Sequence, residues 1–169
     1  MDWAGRAELV DPLTSLINDV YAVAELGLWR EGATRTTATE MAELVPAGQI
    51  AVATRHGKLV GSVRLHDVVP GTSEFGMLVA APDQRGKGVG RVLLDFAERH
   101  SRERGIRTMR LELLVPRLWR HPTKEFLKAW YGRRGYRRVR IADMTDTHPH
   151  LAPLLATPCD LEIHEKPLV

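Results

Sequence analysis

The stretch Ala81-Pro-Asp-Gln-Arg-Gly-Lys-Gly-Val-Gly90 separates a strand-like apolar segment from an amphipathic helical segment. Apolar residues dominate Glu74–Ala81, and the following Pro82-Asp83 breaks that strand. After Gly90, apolar residues recur at spacings of three and four, as they do on one face of a helix. Glycine permits positive φ angles and close backbone approach, while the unpaired N–H groups of a helix N-terminus attract phosphate. The stretch therefore predicts a binding loop for a pyrophosphate.

Three cationic side chains, Arg85, Lys87 and Arg91, accompany the three glycines. The stretch is not a P-loop, because Lys87 is followed by Gly88 rather than by the hydroxyl residue that binds Mg²⁺. It is not a dinucleotide-binding fingerprint either, because the glycines run Gly86-x-Gly88-x-Gly90 instead of G-x-G-x-x-G. Packing alone also produces glycine-rich turns between a strand and a helix, so at this point both explanations stay open.

Composition favours one soluble domain over residues 1–169. The chain has 169 residues, of which 44% are hydrophobic, and a formal net charge of +3. So small a charge does not by itself indicate nucleic acid, and no nucleic-acid partner is expected. The single cysteine, Cys159, excludes an internal disulfide framework and fits a reducing compartment. Since the sequence has neither a secretory leader pattern nor an apolar run near 18 residues, we expect a cytoplasmic protein without a membrane partner.

Periodicity and turn residues predict helices and strands in a mixed order. The predicted elements are a strand at Ala7–Val10, a helix from Pro12 that ends at Glu31-Gly32, a helix at Thr37–Leu44, strands at Gln49–Thr54, Lys58–Val69 and Glu74–Ala81, a helix from Gly90 to Gly105, a strand at Thr108–Val115, a helix capped by Thr123 and ending near Gly135, and strands at Tyr136–Ala142 and Leu161–Lys166. This order predicts an α/β (α+β) fold with a mixed sheet.

Two motifs carry a resemblance to a known family. Gln84-Arg85-x-x-Gly88-x-Gly90 resembles the (R/Q)-x-x-G-x-(G/A) signature of the GNAT superfamily of N-acetyltransferases, and the segment Trp130–Tyr136 resembles the family's (L/F)-Y-x-K/R-x-G-(F/Y) helix ending. The resemblance covers roughly Gln49–Tyr136. It implies a mostly antiparallel sheet flanked by helices and splayed between its fourth and fifth strands, here Glu74–Ala81 and Thr108–Val115.

The resemblance also implies acetyl-CoA as co-substrate, and no metal is expected. The pyrophosphate of acetyl-CoA would be held by the loop residues Arg85, Gly86, Lys87, Gly88, Val89, Gly90 and Arg91. The backbone of Leu78, Val79 and Ala80 would pair with the pantetheine arm as an added strand does. A bulge in this strand would aim an N–H at the thioester carbonyl. The sequence Gly76-Met77 is compatible with such a bulge.

Catalysis would use two side chains under the same resemblance. Tyr131 falls on the family's tyrosine position and would protonate the departing thiolate, and Glu74 is the candidate general base. Strand alternation predicts Glu74 on the same side as Gly76 and Leu78. Tyr131 as a packing residue and Glu74 as a solvated carboxylate remain open alternatives. The next candidates for the base are His66, Asp67, Glu112 and His121.

Acceptor recognition is expected from the first helices and from the segment Pro116–Pro122. The first set comprises Tyr21, Glu25, Trp29, Glu31, Arg35, Thr36 and Glu40, whose carboxylates could hold a cationic amine. Lys124 replaces an asparagine that contacts the cofactor in many family members, so this contact is either lost or replaced by a contact to phosphate. The arginines from Arg133 to Arg140 are expected to form a solvated surface, although they could contact an acidic partner.

Together, these expectations predict an N-acetyltransferase. It would move the acetyl group of acetyl-CoA to a primary amine by direct attack in a ternary complex. The acceptor would be a small molecule or a peptide, and a homodimer is common in the family. The alternative is a non-catalytic acyl-CoA-binding regulatory domain, although such a domain would need neither Tyr131 nor Glu74.

Overall fold

Seven strands form a single sheet in the order β1-β2-β3-β4-β5-β7-β6, with helices on both faces. The structure, a computed structural model, describes residues 1–169. The strands are β1 (Asp2–Trp3), β2 (Ile50–Arg55), β3 (Lys58–Val69), β4 (Thr72–Ala80), β5 (Thr108–Pro116), β6 (Arg137–Ala142) and β7 (Cys159–Pro167). The helices are α1 (Val10–Ala24), α2 (Ala38–Leu44), α3 (Val89–Glu103), α4 (Pro122–Arg133) and α5 (Met144–Thr147). The predicted mixed α/β fold is confirmed.

Strands β4 and β5 form the only parallel pair of the sheet, and they separate soon after it begins. Their ladder covers only Thr72–Glu74 against Thr108–Arg110, after which the two strands diverge. Beyond Glu74 the edge of β4 that faces β5 therefore has no strand partner. This gap is the predicted splay between the fourth and fifth strands.

A β-bulge at Met77 changes the direction of the side chains along β4. Gly76 lies opposite Arg64 and Val79 opposite Ser62, so Met77 and Leu78 together face the single residue between those two. Met77 has a φ of +47°, which is rare for a residue other than glycine. The bulge was predicted, but the alternation was not correctly predicted: Glu74 and Gly76 share one face, whereas Leu78 is turned to the other.

Two main hydrophobic clusters lie on opposite faces of the sheet. Leu93, Leu94 and Ala97 of α3 and Tyr131 of α4 pack with Phe75 and with the apolar side of β5. On the other face, residues of α1 and α2 pack against Met77 and Val79. Because of the bulge, one strand thus supplies Phe75 to the first cluster and Met77 and Val79 to the second. A third cluster surrounds Leu114 and Ile163, near the end of β5.

Three predicted boundaries were wrong. Ala7–Val10 is not a strand: Ala7–Leu9 forms a 3₁₀ turn that leads into α1, and the first strand is Asp2–Trp3, which pairs with β2. Helix α1 ends at Ala24 instead of continuing toward Glu31. The N-cap of α4 is His121 rather than Thr123, because Pro122 occupies the first helical position, where its missing N–H costs nothing.

Candidate active site

The loop between β4 and α3 ends in a helix N-terminus whose conformation depends on glycine. Gly86 and Gly88 have φ angles of +78° and +81°, and Gly88 is the N-cap residue of α3. Other residues rarely adopt this left-handed conformation. The loop is held to the β2–β3 hairpin by Gln84, whose buried side chain accepts a hydrogen bond from Arg55 at 3.1 Å. We call residues Arg85–Arg91 the glycine loop.

The glycine loop presents unpaired donors and unpaired positive charge to solvent. The backbone N–H groups of five residues donate to no group of the protein: Gly86, Gly88, Val89, Gly90 and Arg91. The side chains of Arg85, Lys87 and Arg91 are exposed, and none has a carboxylate within 4 Å. Oriented N–H groups and cations in this arrangement suit an anion such as a pyrophosphate.

The residues that lead from the splay to this loop are Leu78, Val79 and Ala80. Leu78 and Ala80 are half-buried, and the side chain of Val79 lies in the hydrophobic cluster under α1 and α2. The side chain of Val79 is therefore part of the core and is not available to a ligand.

Tyr131 lies in the last turn of α4, with only 6% of its surface exposed. Its ring packs against Phe75 of β4 and Tyr136, with centroids 5.8 Å and 5.9 Å away. Burial, with a smaller effect of the nearby Tyr21 phenol, raises the pKa of Tyr131 well above its ordinary value. The phenol is thus protonated at neutral pH and can donate a hydrogen bond or a proton.

Glu74 belongs to a network of charged side chains on the opposite face of β4. The Nε of Arg110 donates to a carboxylate oxygen of Glu74 at 2.6 Å, and Arg110 also lies 3.5 Å from Glu112. Nε2 of His148 lies 2.7 Å from the other oxygen of Glu112, and Nε2 of His66 lies 4.0 Å from Glu74. Burial and the nearby charge of Glu112 raise the pKa of Glu74, although Arg110 opposes this shift.

Three of the five base candidates come together in this network, namely Glu74, His66 and Glu112. Burial, followed by the positive charges of Arg64 and Arg110, lowers the pKa of His66, so its imidazole is neutral at pH 7. The other two candidates lie elsewhere. Asp67 accepts hydrogen bonds from Ser73 and Arg104, and His121 contacts the carbonyl oxygen of Leu26.

Glu74 and Tyr131 lie on opposite faces of β4. Phe75, the neighbour of Glu74, contacts Tyr131, and strand alternation directs Glu74 to the face of α1 and α2. The gap between β4 and β5 begins directly after Glu74, next to Phe75, whose ring contacts Tyr131 on the other face.

Lys124 does not present its charge to solvent. Its ammonium lies 2.5 Å from Glu25 at the end of α1, and the two side chains are only 4% and 8% exposed. The indole of Trp29 donates to the other oxygen of Glu25 at 2.6 Å. Of the two expectations for Lys124, the structure favours loss of the cofactor contact, because the ammonium is buried and paired with Glu25.

The sequence reasoning missed Arg64 and Arg110, which both point to the side of Glu74. The signal was present in the strands, since Arg64 and His66 in β3 and Arg110 and Glu112 in β5 occupy alternate positions between apolar residues. What the sequence did not provide was the register of β5 on β4, which places Arg110 beside Glu74.

Outside this region, the arginines near β6 have separate roles. Arg134 pairs with Asp95, Arg138 with Glu162, and Arg137 donates to backbone carbonyls.

No group of three or more His, Cys, Asp or Glu side chains is arranged to hold a metal ion. None of the helices combines the length and the apolar character that crossing a membrane requires.

A sequence model of the acetyltransferase (GNAT) family matches residues 15–128, which is more than half of the chain. The chain belongs to the GNAT acetyltransferase family. As a member it is an acyltransferase, and the predicted recognition and fold are confirmed. No curated protein matches this GNAT sequence closely enough to be counted as a relative.

Solved structures with similar folds agree with the family. A ribosomal-protein-alanine N-acetyltransferase from Brucella melitensis is 19% identical over 99% of both chains, with a TM-score of 0.71. An N-acetyltransferase from Staphylococcus aureus Mu50 is 15% identical over 100% of this chain and 98% of that chain, with a TM-score of 0.72. PaiA N-acetyltransferase from Thermoplasma acidophilum, solved in complex with coenzyme A, is 17% identical over 95% and 94% of the two chains, with a TM-score of 0.70. At these identities the likeness establishes the GNAT fold.

Proposed function

We propose that this GNAT protein transfers the acetyl group of acetyl-CoA to a primary amine by direct attack in a ternary complex. The observation that carries the proposal is the glycine loop, where five unpaired N–H groups and three unpaired cationic side chains lie together at the start of α3. A linked pair of phosphates matches this donor set in charge and in hydrogen-bonding capacity. Coenzyme A contains such a pair.

The free edge of β4 provides a path from the glycine loop to the splay. An extended pantetheine arm carries amide groups, and these would pair with the backbone of Leu78, Val79 and Ala80. The bulge at Met77 reorients the backbone where the thioester would arrive. An N–H turned into the gap there would stabilise the negative charge that develops on the thioester oxygen.

The chemical step needs one proton acceptor and one proton donor. The amine nitrogen attacks the thioester carbon, so that a C–N bond forms, the C–S bond breaks and the electron pair leaves with sulfur. Glu74, directly or through water, takes the proton from the attacking nitrogen, and its raised pKa makes it a stronger base than an ordinary carboxylate. Tyr131 supplies the proton, or a strong hydrogen bond, to the departing thiolate.

The proposal is tested by the release of free CoA from acetyl-CoA in the presence of a panel of primary amines. We expect CoA to bind in calorimetry, and at least one amine to release CoA and to be recovered as its N-acetyl derivative. Tight binding without release for any amine would contradict catalysis and would indicate a non-catalytic acyl-CoA-binding domain. Failure to bind CoA at all would remove the role assigned to the glycine loop.

A further inference from the structure

Two arginines beside the splay, Arg35 and Arg64, have no carboxylate within 4 Å. Arg35 lies in the connection between α1 and α2, and Arg64 lies in β3. The other buried or half-buried cations of this region are neutralised, since Arg110 pairs with Glu74 and Lys124 with Glu25. Positive charge without a partner is therefore concentrated at these two guanidinium groups.

Both arginines lie near Gly76 in β4, Arg35 through its guanidinium and Arg64 through its position on the neighbouring strand β3. A Cβ placed on Gly76 would lie 3.9 Å from Nη2 of Arg35, and Gly76 is the cross-strand partner of Arg64. Burial, with a further effect of the nearby Arg35 charge, lowers the pKa of Arg64, which agrees with this proximity. Gly76 directly precedes the bulge at Met77, so both arginines lie next to the proposed position of the thioester.

Both side chains are held in place by neutral groups. The guanidinium of Arg35 lies 5.2 Å from the ring centroid of Tyr21 in α1. The Nε of Arg64 donates to the side-chain oxygen of Gln49 at 3.0 Å. These contacts fix the orientation of each guanidinium without neutralising its charge, and the terminal Nη donors remain available.

The acidic groups nearby are already engaged. Glu25 pairs with Lys124 and accepts from Trp29, and Glu74 pairs with Arg110. Glu40, which faces both free arginines from α2, accepts a hydrogen bond from Thr36 at 2.7 Å and lies more than 4 Å from either. Arg35 and Arg64 are thus the cations of this region that lack a paired carboxylate and can bind an anion, in contrast to the expectation that carboxylates of the first helices hold a cationic amine.

We propose that the acceptor is a primary amine that also carries an oxyanion, a carboxylate or a phosphate, and that Arg35 and Arg64 bind this group. The inference rests on the proposed acetyl transfer and specifies its substrate class. Planar guanidinium groups bind carboxylate and phosphate through paired N–H donors, which gives both affinity and orientation. With the oxyanion held beside Gly76, an amine a few bonds away faces the gap between β4 and β5.

The first experiment compares acceptors that differ only in the oxyanion. Suitable pairs are phenylalanine and 2-phenylethylamine, tyrosine and tyramine, and phosphoethanolamine and ethanolamine, the last of which separates phosphate from carboxylate. We expect kcat/KM to be at least tenfold higher for the anionic member of one pair. Equal or faster turnover of the members that lack the oxyanion would overturn the inference and leave the proposed function intact. Absence of turnover with every amine would overturn both.

The second experiment locates the anion. Arg35→Gln and Arg64→Gln are each expected to raise KM for the anionic acceptor about tenfold or more and to change kcat little. The same variants should leave unchanged the KM for the counterpart that lacks the oxyanion and the Kd for CoA. The matched control is Arg140→Gln, which removes an exposed arginine of β6 without an acidic partner. An equal loss with both acceptor types would overturn the assignment.

A binding measurement keeps the test independent of turnover and of folding. Calorimetry of the wild-type complex with CoA should detect binding of the anionic acceptor, and Arg35→Lys should retain part of it because the charge is preserved. If the Arg35→Gln and Arg64→Gln variants, once shown by their Tm to be folded, bind this acceptor as tightly as the wild type, the inference is wrong.

Discussion

The ammonium of Lys124 in α4 lies 2.5 Å from the carboxylate of Glu25 at the end of α1, and the two residues are 99 positions apart in the chain. This buried ion pair joins the helix that carries Tyr21 to the helix that carries Tyr131. The face that we propose for the acceptor and the face that carries the proposed acid are therefore connected by one charged contact.

Replacement of Lys124 by methionine should lower the free energy of unfolding by roughly 3–5 kcal/mol, because the Glu25 carboxylate would remain buried without its cation. The double variant Glu25→Gln/Lys124→Met should recover most of that loss, since no buried charge is left unpaired. Urea unfolding of the wild type, both single variants and the double variant measures the coupling. A loss below about 1 kcal/mol in the single variant would show that the pair is accessible to water.

Replacement of Tyr131 by phenylalanine should lower kcat by about 10²-fold or more, within the range of general acid catalysis, with little change in the Kd for CoA. Because the ring is buried and its packing is retained, the variant should fold. The matched control is Tyr136→Phe, which removes a hydroxyl that donates to Glu98 at 3.0 Å inside the core. That control should reduce stability and leave kcat close to the wild-type value. Equal kcat in all three proteins would exclude Tyr131 as the donor.

The acidic limb of the pH–rate profile should report Glu74. Its pKa is raised, so as the pH falls Glu74 becomes protonated, and loses its function as a base, at a higher pH than an ordinary carboxylate would. Glu112→Gln removes a neighbouring negative charge and should move this limb to lower pH. Arg110→Gln removes the opposing positive charge and should move the limb to higher pH. If the limb is the same in Glu74→Gln as in the wild type, the base is another group.

Replacement of Gly88 by alanine should weaken CoA binding, because the left-handed conformation of this residue costs about 1–2 kcal/mol for an L side chain. No atom lies within 4 Å of the added Cβ, so the effect comes from the backbone rather than from a clash. Gly90→Ala is the matched control, since Gly90 has an ordinary φ and equally open surroundings. It should leave the Kd for CoA nearly unchanged. Calorimetry with CoA compares the two, and equal affinities would indicate that the loop adapts to a side chain.

Local features of the sequence predicted much of this molecule. The glycine spacing after Ala81 identified the start of α3, and the proline and glycine turns placed β3, β4 and β5 to within two residues at each end. These signals act over a few residues, and the sequence displays them directly.

The errors share a different origin, namely dependence on distant partners. Asp2–Trp3 is too short for any periodicity and is a strand only because β2 lies beside it. The pairing of Arg110 with Glu74 follows from β5 lying parallel to β4, and the pairing of Lys124 with Glu25 joins two helices far apart in sequence. The unpaired charge at Arg35 and Arg64 could not be predicted, because it depends on which neighbours each acidic group meets.

The bulge at Met77 makes β4 sensitive to its length as well as to its side chains. Deleting one residue between Gly76 and Val79 would remove the bulge and restore strict alternation, while Val79 would stay opposite Ser62. The backbone beside the splay would then lose the positive φ of Met77, and with it the N–H proposed to face the thioester oxygen. Engineering this enzyme for other acceptors would therefore have to keep the number of residues in this strand constant and vary only their side chains.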